Sequence, residues 1–209
     1  GKASEWFVVD LKTAIAAIQA VKANKEALDG SQITSRQTPI ALRNEQRAAI
    51  EQTVSCFAEG DQMLWNAKMR FGKTLTALQL FKELSQANPK QYRRMLILTH
   101  RPVVNDGWFD DFHKIFFEVG TPYLYGSKTA GNSFPNLEAM LKEDKGRKYV
   151  YFASIQDLRG SSFVGGRFRK NDELFSAHWD LLVIDEAHEG TQTDLGDKVL
   201  KALVKKGTK

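Results

Sequence analysis

The sequence predicts a three-layer α/β domain, in which helices cover both faces of a mostly parallel β-sheet. Short apolar runs alternate along the chain with longer segments whose apolar residues recur at helical spacing. Such alternation is typical of sheets whose parallel strands are connected by helices. The runs predicted to lie near the centre of the sheet are residues 62–66, 95–99, 149–153 and 180–184.

The composition is that of an ordinary globular protein. The 209 residues are 42% hydrophobic and 26% charged, which suffices for one good-sized core. Neither an apolar run as long as the ~20 residues of a membrane span nor a signal-peptide pattern is present in the sequence. The single cysteine, Cys56, excludes an intramolecular disulfide framework, so we expect a cytoplasmic protein in which Cys56 is buried as a small apolar side chain. The net charge of +5 favours an anionic partner such as nucleic acid.

The first 37 residues are predicted to be a helical extension and linker, followed by one domain over residues 38–209. Residues 10–27 have helical periodicity, and residues 28–39 are polar and rich in turn formers. The apolar stripe of the predicted helix over residues 10–27 consists of Leu11, Ile15, Ile18 and Val21. The helix either packs on the domain or connects it to an upstream module, and both alternatives stay open. Because the chain begins with Gly1, we expect it to be a piece of a longer protein.

Residues 62–81 predict a strand, a tight loop and a helix that opens at Lys73 and Thr74. A loop at a helix N-terminus presents backbone N–H groups and the positive end of the helix dipole to an anion. Gly72 permits close approach of the backbone, Lys73 can reach the β- and γ-phosphates of a nucleotide, and Thr74 can offer its hydroxyl to Mg²⁺. We call residues 67–74 the P-loop. The alternative is a strand-to-helix turn in which Gly-Lys-Thr is incidental.

Two carboxylates follow the apolar run of residues 181–184. Such a run is typical of a strand covered on both faces, and ligands bind at the carboxyl ends of parallel strands. Asp185 can therefore hold a Mg²⁺ that bridges two phosphates, and Glu186 can polarise the attacking water. Acidic residues are also common at solvated strand ends, but the coincidence with a Gly-Lys-Thr loop favours phosphate chemistry.

Together the two motifs resemble motifs I and II of the superfamily two DEAD/DEAH-type helicases and translocases. The first motif of that family is commonly A-x-x-G-x-G-K-T, which Ala67, Gly72, Lys73 and Thr74 match, whereas Arg70 stands in place of the middle glycine. Residues 185–188 form an intact DEAH box. The sequence is most similar to the helicase (res) subunits of restriction enzymes, over residues 38–200. The resemblance implies an N-terminal RecA-like, P-loop ATPase domain.

The resemblance also implies a nucleotide site. Gln46 corresponds to the family glutamine whose amide reads the adenine edge, although a surface glutamine near a helix start is the alternative. Arg43 is expected near the base or the phosphates, and His188 is expected to couple the nucleotide state to other parts of the motor. Lys73, Asp185 and Glu186 are the implied catalytic residues, and Thr74 and Asp185 the implied Mg²⁺ ligands. The implied ATP-binding residues are Arg43, Gln46, Ala67, Lys68, Met69, Arg70, Phe71, Gly72, Lys73, Thr74, Asp185, Glu186 and His188.

Two further strand ends resemble the family's motifs Ia and Ic, which contact the phosphate backbone of the tracked strand. The implied nucleic-acid contacts are Thr99, Arg101, Pro102, Ser154 and Gln156. Four aromatic residues after motif Ia recur at helical spacing and are predicted to be core residues rather than base-stacking platforms. These are Trp108, Phe109, Phe112 and Phe116.

Residues 159–171, which we call the basic loop, contain four basic side chains, two phenylalanines and a glycine pair. A mobile basic loop with interleaved aromatics can bind nucleic acid. A solvated loop with two anchoring phenylalanines fits equally. The other predicted elements are a helix over 47–57, a strand over 121–125, a loop over 126–136, a helix over 137–142, a polar loop over 190–197 and a helix over 198–205.

The sequence therefore predicts the first half of an ATPase motor, in which ATP hydrolysis with Mg²⁺ drives translocation along nucleic acid or its unwinding. The expected partners are nucleic acid (double-stranded DNA, from the restriction-subunit resemblance), the second RecA-like domain of the same full-length chain, and modification or nuclease subunits, with no membrane partner. The alternative is a nucleotide-gated clamp or switch that binds DNA without sustained turnover. Because the chain ends before motif III and the second motor domain with its arginines, we expect it to hydrolyse ATP poorly by itself.

Overall fold

The computed structural model describes residues 15, 18, 40–118, 120–128, 131–187 and 193–209. Contacts divide the chain into two compact units, Gly1–Pro39 and Ile40–Lys209. In the first unit Ile15 and Ile18 are helical, and the rest of the predicted helix and linker lies outside the described residues. The boundary predicted after residue 37 remains a prediction. The second unit contains the sheet.

Four parallel strands form the sheet in the described part of the second unit, in the order β2-β3-β1-β4. The register places Thr99 opposite Ser154 on one side and opposite Asp185 on the other. The carboxyl ends of three strands therefore meet in one line, which is where an α/β sheet binds its ligands. The strands are β1 (Arg94–Thr99), β2 (Tyr123–Ser127), β3 (Lys148–Ser154) and β4 (Leu181–Asp185).

Helices cover both faces of the sheet, so the predicted three-layer α/β fold is confirmed. Met95 and Ile97 of β1 join a core with the first three helices, whereas Leu96 and Leu98 join a second core with the later helices. This division follows from the alternation of side chains along a strand. The helices are α1 (Asn44–Glu59), α2 (Lys73–Ala87), α3 (Asn105–Ile115), α4 (Phe134–Glu143), α5 (Ile155–Leu158), α6 (Asp172–Ser176) and α7 (Asp194–Leu203), with 3₁₀ turns at Pro102–Val104 and Ser162–Val164. None of these described helices is long and apolar enough to cross a membrane.

The aromatic residues of α3 and its C-terminal end pack as predicted, with one exception. Trp108, Phe112 and Phe116 are buried in the first core. Phe109 remains 38% exposed and places its ring edge against Tyr125, with the ring centroids 5.4 Å apart. Three of the four aromatics are therefore core residues, and the fourth lies at the rim of the core.

The strand predicted over residues 62–66 is wrong: this segment is irregular, and Leu64 is 82% exposed. A strand requires a neighbour for its backbone groups, and the edge of β4 is partly taken by the last residue of the chain. Lys209 N–H donates to Asp180 O (3.1 Å), and Lys209 O accepts from Leu182 N–H (2.8 Å). The Lys209 ammonium reaches Gly60 O at 2.8 Å, so Lys209 lies between β4 and the start of this segment. As a result β4 is at the edge of the described sheet rather than near its centre.

Local hydrogen-bonding groups shift other predicted boundaries. Helix α4 begins at Phe134, inside the predicted loop, because Pro135 is tolerated in a first helical turn that needs no intrahelical N–H donor. Helix α7 begins at Asp194 because the Thr193 hydroxyl caps it by accepting the Gly196 N–H at 3.1 Å. The predicted burial of Cys56 is also wrong, since its side chain is half-buried and its thiol donates to Gln62 O at 3.3 Å.

Candidate functional site

The P-loop ends at the N-terminus of α2, where Gly72 is the N-cap with φ +81°. Glycine adopts this left-handed conformation without steric cost. A Cβ atom at Gly72 would lie 2.7 Å from Gln46 Nε2, so space as well as backbone conformation requires glycine here. Because glycine offers no side-chain cap, the first backbone N–H groups of α2 remain available for an anion.

Arg70 adopts φ +64°, also in the left-handed region. A glycine would take this conformation freely, whereas an arginine pays roughly 1–2 kcal/mol for it. The Arg70 carbonyl accepts a hydrogen bond from the Arg43 guanidinium at 3.0 Å. The loop thus keeps a glycine-like turn at the position where the superfamily motif has its middle glycine.

Two residues at the N-terminal end of α1, Arg43 and Gln46, brace the P-loop by hydrogen bonds to its carbonyls. Gln46 is 5% exposed, and its Nε2 donates to Phe71 O at 2.9 Å while its Oε1 accepts the Arg43 N–H at 2.9 Å. The Arg43 guanidinium also donates to Phe71 O. The Gln46 carboxamide is therefore bound to protein at both ends, although each end retains capacity for one more hydrogen bond. Its role in reading adenine remains a prediction.

A cavity of about 480 Å³ opens beside this brace. Its lining comes from Arg43 and from Gln52 of α1 on one side, and from the segment before α2 with Trp65, Lys68 and Phe71 on the other. The Trp65 indole donates to Thr53 Oγ1 at 2.8 Å, which ties this segment to α1. The cavity is next to the P-loop. If the phosphates of a nucleotide lie at the N-terminus of α2, the cavity has room for its base.

Lys73 and Glu186 meet across the site. Lys73 Nζ lies 2.9 Å from Glu186 Oε1, and the two side chains are 39% and 34% exposed. Lys73 is the first residue of α2, and Glu186 directly follows β4 with φ +53°. The fold therefore brings the P-loop and the start of the DEAH box into direct contact, as the two motifs require.

Asp185 at the end of β4 has a partner that the sequence did not reveal. The indole N–H of Trp108 donates to Asp185 Oδ2 at 3.2 Å, and Trp108 is only 2% exposed. The pattern of α3 predicted Trp108 as a core residue alone. Its chemistry could have indicated more, since a buried tryptophan usually finds a hydrogen-bond acceptor for its indole.

The donor set fits a Mg²⁺ ion held together with a nucleotide. Among the described residues no group of three or more His, Cys, Asp or Glu side chains could hold a metal ion. Mg²⁺ is commonly held by one or two carboxylates together with substrate phosphates, so it needs no such group. Thr74, next to Lys73, would supply a hydroxyl, and Asp185, next to Glu186, would supply a carboxylate. His188 lies outside the described residues, and its coupling role remains a prediction.

Three of the five predicted nucleic-acid contacts are exposed beyond the carboxyl ends of β1 and β3. Arg101 and Pro102 follow β1, and Gln156 is in α5, directly after β3. Their exposure is compatible with contacts to a phosphate backbone, which remain predictions.

The other two predicted contacts are buried. Thr99 is 1% exposed, and its hydroxyl accepts the Arg101 N–H at 3.1 Å. Ser154 is fully buried; its hydroxyl accepts the Asp157 N–H at 3.1 Å and donates to Asp157 Oδ2 at 2.8 Å. In this structure both hydroxyls shape the strand ends. The Ser154 hydroxyl would have to release Asp157 before it could donate to a phosphate, whereas the Thr99 hydroxyl accepts a hydrogen bond and keeps its own proton to donate.

Sequence comparisons relate this chain to restriction enzymes. Residues 39–207 match the model of the family described as type III restriction enzyme, res subunit. A putative type II restriction enzyme and methyltransferase of Mycoplasma pneumoniae is 29% identical over 156 residues, which cover 71% of this chain and 20% of that protein. The chain thus spans about a fifth of the length of this relative.

Two solved structures share the fold. The SWI2/SNF2 ATPase core of Sulfolobus solfataricus in complex with double-stranded DNA has a TM-score of 0.57 at 17% identity, covering 79% of this chain and 30% of that one. A nuclease-deletion mutant of the type ISP restriction-modification enzyme LlaGI, in complex with a DNA substrate mimic, has a TM-score of 0.53 at 18% identity, covering 77% and 16%. At these identities the similarity shows the fold alone.

Proposed function

The chain belongs to the family of type III restriction enzyme res subunits, and from this membership we propose that residues 40–209 are the first motor domain of a DNA-dependent ATPase. In this proposal the domain binds and hydrolyses ATP, and the larger protein uses the energy to translocate along DNA or to unwind it. The observation that carries the proposal is the 2.9 Å contact between Lys73 and Glu186. It joins a helix N-terminus suited to phosphate with a carboxylate suited to activating water.

The phosphates of ATP are proposed to lie against the N-terminus of α2. Lys73 would exchange Glu186 for oxygens of the β- and γ-phosphates, since both partners are partly solvated and their ion pair is weak. A Mg²⁺ held by Thr74 and Asp185 would neutralise phosphate charge. Gln46 and Arg43 would keep the loop carbonyls turned away from the phosphates, because they hold the carbonyls of Phe71 and Arg70.

Glu186 would act once Lys73 has left it. Its carboxylate can then accept a hydrogen bond from a water molecule and orient that water for in-line attack on the γ-phosphorus. The water oxygen forms a bond to phosphorus and passes its proton to the Glu186 carboxylate, the bond between phosphorus and the bridging β–γ oxygen breaks, and ADP and phosphate leave. In this proposal the Lys73–Glu186 contact opens when ATP binds.

Nucleic acid is proposed to lie along the carboxyl edge of the sheet. Arg101, Pro102 and Gln156 are exposed there, and both structural neighbours were solved with DNA or a mimic of it. The second RecA-like domain of a longer chain would close over ATP from the opposite side, and modification or nuclease subunits would complete the assembly. An arginine supplied by such a partner can be worth ~10³–10⁵ in rate, so we expect slow hydrolysis by the 209-residue chain alone.

The experiment has two arms. Nucleotide binding is measured with the 209-residue chain, and ATP turnover is measured with the full-length protein, with and without duplex DNA. Lys73→Ala is expected to abolish binding, and Glu186→Gln to abolish turnover while binding persists. Lys114→Ala is the matched control, because Lys114 also pairs with a carboxylate, Asp111, but lies on the surface of α3.

Turnover that rises with duplex DNA and disappears in Glu186→Gln would support the motor. Nucleotide binding without turnover, unchanged by DNA, would instead favour a nucleotide-gated clamp or switch. Binding that survives Lys73→Ala would refute the proposed phosphate site itself.

A further inference from the structure

The basic loop is held together by its own backbone. Phe168 N–H donates to Gly160 O at 3.0 Å, Ser162 N–H donates to Phe168 O at 2.9 Å, and Gly166 N–H donates to Ser161 O at 2.8 Å. These bonds pair Ser161 with Phe168 in an isolated β-bridge, and Ser161 is fully buried. The loop is thus a defined structure with its ends tied together.

Two glycines let the loop cross itself. A Cβ atom at Gly166 would lie 2.1 Å from the carbonyl carbon of Gly160, and Gly160 has φ +84°. Any larger residue at Gly166 would collide with backbone rather than with a side chain that can move. Gly166, the second residue of the Gly165-Gly166 pair, and Gly160 therefore fix the shape of the loop.

The two phenylalanines of the loop have different environments. Phe163 stacks on Phe175, with centroids 5.1 Å apart and ring planes 8° from parallel, next to Val164 in the second core. Phe168 is 66% exposed. Phe163 anchors the loop through this one stacked contact, although 46% of the residue is exposed, and Phe168 presents more of its ring to solvent. Each sequence interpretation therefore describes one of the two phenylalanines.

The basic side chains of the loop lack an ion-pair partner in the part of the chain that the structure describes. Arg159, Arg167 and Arg169 are exposed and Lys170 is half-buried, and among the described residues none of the four forms an ion pair. Other surface cations do pair: Lys114 with Asp111, Arg147 with Asp144 and Lys201 with Asp197. A preformed surface of unpaired positive charge around an exposed ring matches the chemistry of a nucleic-acid strand.

The loop is also continuous with the carboxyl edge of the sheet. Arg159 N–H donates to Gln156 O at 3.2 Å, and the Asn171 side chain donates to Asp157 O at 3.0 Å. Both ends of the loop are therefore fastened to α5, which carries the exposed Gln156. A strand that contacts Gln156 would need little additional length to reach the loop.

We propose that the basic loop is a further binding surface for a single strand of DNA, in which Phe168 stacks on an unpaired base and Arg167 and Arg169 contact the adjoining phosphates. The inference rests on the proposed function, because it assumes that DNA follows the carboxyl edge of the sheet. It extends that function, because the loop would contact the bases of the DNA, whereas the other proposed contacts reach only its phosphates. Because the backbone of the loop is preformed, little backbone conformational entropy is lost on binding.

The experiment measures the anisotropy of labelled single-stranded and duplex oligonucleotides with the 209-residue chain, without nucleotide, over a range of salt concentrations. The charge variant is Arg167→Ala combined with Arg169→Ala. Its matched control is Lys90→Ala combined with Lys145→Ala. This control removes the same charge from the loops before β1 and β3, at the amino ends of the strands. Phe168→Leu keeps an apolar side chain but removes the ring.

The charge variant is expected to bind single strands more weakly, with a slope of log K against log salt smaller by roughly 1.4, from a contribution of about 0.7 per phosphate contact. The control pair is expected to leave the slope unchanged. Phe168→Leu is expected to weaken single-strand binding about tenfold at constant slope, and duplex binding much less.

The proposal would be overturned if the two double variants weakened binding equally, or if the unmodified chain bound no single-stranded oligonucleotide. It would also be overturned if Phe168→Leu left the affinity unchanged or weakened the binding of duplex alone. Thermal unfolding and nucleotide binding, measured on each variant, separate these outcomes from misfolding and from failure of the proposed function. That function is tested by variants of Lys73 and Glu186, and the loop variants do not change these two residues.

Discussion

The indole nitrogen of Trp108 lies 3.2 Å from Oδ2 of Asp185, so a buried residue of α3 holds one oxygen of the carboxylate proposed to bind Mg²⁺. A hydrogen bond of this kind fixes the orientation of a metal-binding carboxylate, and such supporting contacts commonly change metal affinity. In the proposed site we therefore expect Trp108 to position Asp185 as well as to fill the core.

Trp108→Phe is expected to raise the Mg²⁺ concentration needed for half-maximal nucleotide binding by about tenfold, because the aromatic packing persists while the N–H donor is lost. Titration of Mg²⁺ at constant ATP measures this. The matched control is Trp179→Phe, which removes the hydrogen bond from the Trp179 indole to Leu174 O (3.0 Å) in the second core. An equal shift in both variants would reduce Trp108 to a packing residue.

Glu186→Gln is expected to tighten nucleotide binding slightly while abolishing turnover. The substitution removes a competitor for Lys73, but a partly exposed ion pair contributes only ~0–1 kcal/mol, so the gain is limited to about fivefold. Calorimetric titration with ATP checks the affinity. Asp111→Asn, which disrupts the surface pair with Lys114, serves as control and is expected to change neither affinity nor turnover. Weaker binding by Glu186→Gln would contradict the idea that Glu186 competes with nucleotide for Lys73.

Arg70→Gly is expected to raise the free energy of unfolding by up to about 1 kcal/mol, because glycine relieves the left-handed strain at φ +64°. The Arg70 carbonyl that accepts from Arg43 persists in this variant. Arg47→Gly, in the exposed part of α1, is the control and is expected to lower stability by about 1 kcal/mol. Urea unfolding measures both, and destabilisation of the same size in the two variants would show that Arg70 is not strained.

Gly72→Ala is expected to destabilise the P-loop by roughly 1–2 kcal/mol and to impair nucleotide binding, because alanine disfavours φ +81° and its Cβ would approach Gln46 Nε2 to 2.7 Å. Adding Gln46→Ala removes the collision but not the backbone strain, so binding is expected to stay impaired. Gly107→Ala is the control, since a Cβ there meets nothing within 4 Å and helix α3 should gain about 0.5–1 kcal/mol. Unimpaired nucleotide binding by Gly72→Ala would contradict the geometry described for the loop.

The interior of the sheet was predictable because its strands are apolar on both faces. Strands β1 and β3 are buried along almost their whole length, and their sequences show this as continuous apolar runs. Residues 62–66 have a similar pattern but form no strand, because a strand depends on a neighbour as well as on its own composition. Composition does not encode that Lys209 would pair with the edge of β4.

The candidate site was predictable only in part, for a related reason. The order of residues in the P-loop and the DEAH box is local and indicates phosphate chemistry directly. The contacts of Trp108 with Asp185 and of Gln46 with Phe71 join segments far apart in the sequence, so no local pattern predicts them. The hydrogen bonds that bury Thr99 and Ser154 likewise depend on how each strand end turns into the following segment.

The position of β4 has a consequence for how the 209-residue chain behaves in concentrated solution. Within the described part of residues 40–209, β1 covers one side of β4, and backbone hydrogen bonds to its other side come from Lys209 near the start of the strand. Leu182, Val183 and Ile184 are apolar and only half-buried. An edge of this kind is a template on which a strand of another molecule can add. Aggregation through β4 is therefore the route by which we expect the 209-residue chain to lose solubility as its concentration rises.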